Sequence, residues 1–206
     1  MSDSPASTVG CMLRPMPGES ECGDRCAFWQ DVDRLTLLVA DGLGHGAEAA
    51  VAAQAAVDCV ATRRALSLDE IFAACDAALH ATRGAALALA QVEGDRLSVA
   101  SVGSIRAVLF GRQRELRLGG ARGIVGAGYQ GLRPETVVLA AGEWLALYSD
   151  GLPELLPLAT LCGQTGIDAS RLAGEALARW ASARDDAALL LYRYGGNSCL
   201  PPCRPH

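Results

Sequence analysis

Five aspartates stand out by where they fall. Asp41 follows the apolar run LTLLVA (35–40) and Asp150 follows WLALYS (144–149); each is followed by Gly-Leu. The pair Asp185-Asp186 directly precedes AALLLYRY (187–194), and Asp24 closes ECGD (21–24). A carboxylate after one strand and a carboxylate before an antiparallel neighbour share one edge of a sheet. Asp41, Asp150 and Asp185 are therefore expected to converge. Carboxylates brought together without Arg or Lys repel one another. A divalent cation removes that cost, and an all-oxygen donor set points to magnesium or manganese rather than zinc. Gly42 lets the backbone approach closely, which makes its carbonyl a further candidate donor. A single Asp-Gly after a strand is ordinary turn chemistry. The metal reading rests on two copies, an acidic pair and a Gly-Asp loop occurring in one chain, with Asp41 opening the Gly-rich turn DGLGHG.

The elements that position these residues follow from the apolar patterning. Continuous apolar runs at 35–40 and 187–194 read as buried strands. Short strands are expected at 9–12 and 25–30, and a meander of antiparallel strands at 85–92, 96–102, 105–111, 115–118, 136–140 and 144–148. The Ala-rich stretch 47–64 predicts a long helix. Ser67 with Glu70 three residues on forms a capping box for a second helix over 68–81. Helical periodicity with Asp168 as cap predicts a third over 168–183. The six glycines of 119–131 read as a mobile loop. Strands, two helices, many strands, a helix and a last strand make an α+β fold of antiparallel sheets with helices packed outside. One domain is expected over 9–194, with a disordered N-terminus at 1–8 and a loose tail at 195–206.

Composition narrows the function. The chain has 206 residues, half of them hydrophobic, a net charge of −5 and no lysine. Such a chain builds a sizeable core, and its dispersed Arg are unlike the basic patch of a nucleic-acid binder. Residues 1–8 lack the basic and apolar stretches of a secretory signal, and no apolar run reaches the roughly 18 residues of a membrane helix. A cytoplasmic protein with no nucleic-acid or membrane partner is expected. In a reducing compartment the eight cysteines are thiols by default. The competing reading is a zinc site from Cys22, Cys26, Cys199 and Cys203, but the four-residue spacing is unlike the usual tight pair.

The ordered set ECGD (21–24), LLVADGLGHGAEAA (37–50), LALYSDGLPE (145–154) and RDDAALLLYR (184–193) resembles the protein phosphatase 2C superfamily, in its bacterial branch of SpoIIE and RsbX type. TRGAALALA (82–90), SVGSIRAVLF (101–110) and GIVG (123–126) resemble the RsbX type. The resemblance implies a sandwich of two antiparallel sheets flanked by helices. It implies two divalent ions, manganese or magnesium. Asp41 would bridge both, the Gly42 carbonyl would ligate one, and Asp150 and Asp185 would hold the other. Asp24 would contact the centre directly or through water, and Asp186, next to the last ligand in position, would be supporting.

The resemblance further implies a stand-alone protein serine/threonine phosphatase, with Asp41, Asp150 and Asp185 catalytic. Its substrates would be phosphorylated STAS-domain regulators in a partner-switching pathway that controls a sigma factor or a stress response. The alternative is a non-catalytic regulator that binds a phosphoprotein or its kinase. The position directly after Asp-Gly, where eukaryotic relatives carry a His, holds Leu43. His45, two residues on, is either a general acid or substrate contact, or simply the His that starts a helix. Eukaryotic relatives use a phosphate-binding Arg upstream of the Gly-Asp loop; Arg14 lies in that region at a different spacing, and neither it nor Arg25 nor Arg83 is assigned.

Overall fold

The structure is a computed structural model that describes residues 8–111, 113–162 and 168–196; the expectations for 1–7 and 197–206 lie outside them. Two five-stranded antiparallel sheets face each other. The strands of the first are β1 (Val9–Arg14), β6 (Arg106–Phe110), β7 (Glu115–Leu118), β11 (Trp144–Tyr148) and β12 (Ala187–Arg193), in the order β1-β12-β11-β6-β7. Those of the second are β2 (Asp24–Gln30), β3 (Leu35–Gly42), β4 (Ala85–Glu93), β5 (Arg96–Val102) and β10 (Glu135–Val138), in the order β10-β5-β4-β3-β2.

The central strands are apolar on both faces because both faces are covered. In β3, Leu35, Leu37 and Val39 enter the core between the sheets, while Leu38 and Ala40 enter a second core under two helices. In β12, Ala188, Leu190 and Tyr192 face the inter-sheet core, and Ala187, Leu189 and Leu191 face a third core. Each fully buried Leu contributes about 1.5–3 kcal/mol. The covering helices are α1 (Gly46–Ala61) and α2 (Leu68–Leu79) on the second sheet, and α4 (Ala169–Trp180) on the first. The predicted caps form: the Ser67 hydroxyl accepts from the Glu70 N–H while the Glu70 carboxylate accepts from the Ser67 N–H, and Asp168 accepts from the Arg171 N–H. The α+β class with helices packed outside antiparallel sheets is thus as the patterning predicted, and the two-sheet sandwich is as the resemblance implied.

Three expectations are corrected. Residues 119–131 are not a bare loop, since β8 (Arg122–Ile124) and β9 (Gly128–Gln130) pair as a hairpin. That hairpin is tied down by a two-way backbone bond between Val125 and Ala85 and by the fully buried Val125 side chain. A short helix α3 (Leu158–Cys162) stands where no element was predicted. The cysteines are not all thiols, since Cys11 on β1 and Cys26 on β2 are joined in a disulfide. β1 and β2 are edge strands of different sheets stacked on the same side of the sandwich, so residues 15 apart meet across the core. Cys26 is thereby withdrawn from the zinc reading, and Cys199 and Cys203 lie outside the described residues. Cys59 and Cys75 are buried thiols under the helices, as expected of incidental cysteines.

Candidate active site

The aspartates gather at one edge of the sandwich. β2 and β3 pair so that Asp24 stands directly opposite Asp41. Directly opposed residues of an antiparallel pair have Cβ atoms about 4.5–5.5 Å apart, and like charges there destabilise. Asp150 lies just beyond β11 and Asp185 just before β12, at the matching end of the other sheet. The site grades from Asp24, 1 % exposed, through the half-buried Asp41 and Asp185 to an exposed Asp150. It is therefore open to solvent on the Asp150 side.

Two serines that sequence reasoning missed organise the carboxylates. The Ser149 hydroxyl donates to Asp24 Oδ2 at 2.6 Å and accepts from the Ala188 N–H at 2.9 Å. It links the two sheets at the edge where the acids meet. Ser104 donates to Asp41 Oδ2 at 3.0 Å. The only signal for either was its motif, YSDG for Ser149 and VGSI for Ser104; the contact spans 125 residues in the first case and 63 in the second. No local pattern reports such pairs.

Asp186 has a different part. It is 2 % exposed, and its two oxygens accept from the backbone N–H of Met16 (2.8 Å) and of Gly23 (2.9 Å). Both oxygens are spent on holding the loop that leads into Asp24. The glycines after Asp41 and Asp150 are explained by close packing. A Cβ on Gly42 would stand 1.9 Å from the Ala49 carbonyl oxygen of α1, and one on Gly151 would stand 1.8 Å from the Asp186 carbonyl oxygen. The repeated Asp-Gly device therefore brings a neighbouring backbone tight against each acidic turn.

The electrostatics are those of uncompensated acids. Burial, then the charge of Asp41, pushes the Asp24 carboxyl above its ordinary range against the opposing Ser149 hydrogen bond. Burial, then Asp150, does the same to Asp41 against Ser104. Asp185 is also raised, by burial first and Asp150 second. Among the described residues none of these four aspartates takes part in an ion pair. As placed, no three His, Cys, Asp or Glu side chains among the described residues come together closely enough to hold an ion. The donor set nonetheless fits a hard divalent cation: carboxylate oxygens with raised affinity for positive charge and no Arg to satisfy them.

The other candidates are occupied elsewhere. His45 is the N-cap residue of α1, makes no cap hydrogen bond, and places Nδ1 2.7 Å from Glu19 Oε1. Arg14 donates to the Ser182 carbonyl, Arg25 to the carbonyls of Cys22 (2.6 Å) and Asp24 (2.9 Å), and Arg83 pairs with Glu48.

Among the described residues no helix is long and apolar enough to cross a membrane. None of the curated proteins matches the chain. Solved structures do. One, described as "The bacterial stressosome: a modular system that has been adapted to control secondary messenger signaling", is 30 % identical, with a TM-score of 0.86 over 90 % of this chain and 98 % of its own. RsbX in complex with magnesium is 21 % identical, with a TM-score of 0.79 over 90 % of this chain and 94 % of its own. The PP2C phosphatase domain of the cell fate determinant SpoIIE from Bacillus subtilis, with a fragment of its regulatory domain, is 17 % identical, with a TM-score of 0.72 over 93 % of this chain and 64 % of its own. The sandwich is thus the PP2C-like fold. The model of the family "Stage II sporulation protein E (SpoIIE)" matches residues 31–195, a stretch that holds Asp41, Asp150 and Asp185, and the chain belongs to that family.

Proposed function

We propose that this protein is a metal-dependent serine/threonine protein phosphatase acting on phosphorylated regulator proteins of STAS-domain type in a partner-switching stress or sigma-factor pathway. One observation carries the reading: both sheets deliver aspartates to a single edge, graded from buried to exposed, with no basic partner among the described residues. A structure described as a bacterial stressosome, at 30 % identity, supports the signalling context.

In this reading Asp41, the Gly42 carbonyl, Asp150 and Asp185 would hold two divalent ions, magnesium or manganese, and Asp24 would contact the centre directly or through water. When bound, such a pair supplies Lewis acidity at the phosphoryl oxygens and an activated water for in-line displacement. The chain's own residues do the positioning. Ser149 and Ser104 fix the rotamers of Asp24 and Asp41. Asp186 anchors the loop entering Asp24, and Gly42 and Gly151 let the backbones close around the acidic turns. The exposed side at Asp150 is where a phosphoserine on a protein surface enters.

The test is hydrolysis of a phosphoserine peptide and of p-nitrophenyl phosphate with manganese, with EDTA, and in Asp41→Ala and Asp150→Ala. Turnover that EDTA and both substitutions abolish, a loss of at least about a hundredfold, is expected. A wild type that turns over neither substrate and binds no metal by calorimetry would replace this reading with a non-catalytic regulator.

A further inference from the structure

Beside the aspartate centre, between the ends of β5, β6 and β7, lies a cavity of about 310 Å³. Its lining includes Ser101, Ser104, Arg106, Arg117, Gly119 and Glu154. With about 30 Å³ per water, it has room for a carboxylate or phosphate with part of its hydration shell. It lies at the lower limit of drug-sized pockets.

Its polar groups are arranged for an anion. Arg106 and Arg117 give it two guanidinium groups in a chain whose net charge is −5. Arg106 Nη1 is buried and has no hydrogen-bond partner among the described residues; its guanidinium carbon lies 6.0 Å from the centre of the Tyr148 ring. Ser101 is 1 % exposed, and its hydroxyl likewise has no partner among the described residues. A Cβ on Gly119 would stand 2.7 Å from that hydroxyl oxygen, so glycine there lets the backbone pack closely against Ser101. Buried donors without acceptors call for an explanation, and these two, with Arg117 beside them, point to an oxyanion. Glu154 offsets part of the positive charge. It accepts from Arg117 Nη1 at 3.2 Å, while its carbonyl accepts from the Tyr148 hydroxyl at 3.1 Å. That leaves Arg106 without a carboxylate of its own among the described residues.

The position ties the cavity to the candidate active site. Ser104 lines it and also donates to Asp41. Arg106 is two residues further on, a distance the chain spans in at most about 7 Å. We propose that the cavity is an oxyanion subsite that receives an acidic side chain carried by the substrate protein one or two residues from its phosphoserine. The proposal rests on the phosphatase reading for its substrate but is measured separately from it. Arg106 would give the acid a charged hydrogen bond, the Ser101 hydroxyl would add a second, and Arg117 would guard the mouth.

The experiment uses the full chain with manganese and two phosphoserine peptides that differ only in having Glu or Gln on both sides of the phosphoserine. The wild type is expected to prefer the Glu peptide by about tenfold in kcat/KM, carried by KM, as one charge-assisted hydrogen bond would give. Arg106→Gln should bring the ratio to about one, and the exposed Arg117→Gln, which is little burdened by folding, should lower it about threefold. A wild-type ratio of one, or a ratio unchanged in both variants, overturns the subsite. So does an Arg106→Gln variant whose only change is weaker inhibition by inorganic phosphate, since the cavity would then hold released product. If the wild type hydrolyses neither peptide, the phosphatase reading is what fails. Fluorescence anisotropy of the same two peptides then decides: Arg106-dependent preference for Glu sustains the subsite, and equal binding ends it.

Discussion

Strand β11 runs between two buried carboxylates that meet opposite fates. At its start Glu143, 7 % exposed, receives both arms of one guanidinium: Arg114 Nε to Oε1 at 2.6 Å and Nη2 to Oε2 at 2.8 Å. The Ala140 N–H adds a third bond at 2.7 Å. Arg114 beside it holds the Glu143 carboxyl below its usual range. At the far end Asp24, 1 % exposed, has one serine hydroxyl and faces Asp41, and its carboxyl is pushed up. The fold thus can supply a buried acid with a complete set of partners, and does so at the end that makes no candidate site. Withholding such partners at the other end leaves an electrostatic cost that belongs to function rather than to folding.

The comparison is broken most severely by removing the guanidinium. Arg114→Met strands Glu143 as a buried charge with two lost charge-assisted bonds. The Arg114 side chain is 36 % exposed, so the loss is discounted for solvent to about 2 kcal/mol. For a chain of this size that lowers Tm by roughly 4–8 °C. Urea denaturation with an unchanged m-value checks it; a shift no larger than that of a surface Arg variant would show that Glu143 is hydrated, and the contrast between the two ends would vanish.

The opposite sign is expected at the other end. In EDTA at pH 9, above the value of about 8 to which the Asp24 carboxyl is pushed, Asp24→Asn removes one of two opposed like charges and keeps an oxygen to accept from Ser149. The metal-free protein should gain about 1 kcal/mol, a rise in Tm of roughly 2–4 °C. With manganese the order should reverse, because the wild type alone keeps its full donor set. A variant less stable than wild type in EDTA would mean that Asp24 is held by contacts other than the Ser149 bond.

These ends were unequally legible from sequence. Asp41, Asp150 and Asp185 were found because each adjoins a run apolar on both faces, and such runs report burial directly. The Ser149 bridge and the Arg114–Glu143 pair were not, because each joins residues far apart in the chain and leaves no periodicity; the Asp24–Asp41 register was not, because it is set by the turn between the consecutive strands β2 and β3. The 119–131 hairpin was hidden by its glycines, read as freedom where positive φ at Gly123 (120°) and Gly128 (105°) serves its strands. A Cβ on Gly123 would also stand 2.5 Å from the Gly128 carbonyl oxygen. The Cys11–Cys26 link was missed because compartment was taken to decide redox state before the stacking of two edge strands was known. By contrast the capping box at Ser67 is a four-residue device, and short devices survive in sequence intact.

The smallest effect is the most diagnostic, because it isolates charge from packing. Glu143→Gln retains the shape and one acceptor but loses the ionisation. A carboxyl whose pKa is depressed by folding contributes stability above its unfolded value, here 4.5, and loses it as pH falls through the folded value. The stability difference between wild type and Glu143→Gln should therefore be full at pH 6–7 and shrink steadily as the pH is taken below about 4.5. With Arg114 partly exposed, the pH-dependent part should stay under about 1 kcal/mol. Urea midpoints collected from pH 3 to 7 measure it. A difference that is the same at every pH would mean that Glu143 is held by geometry alone, and the account of β11 as a strand with one compensated and one uncompensated end would have to be abandoned.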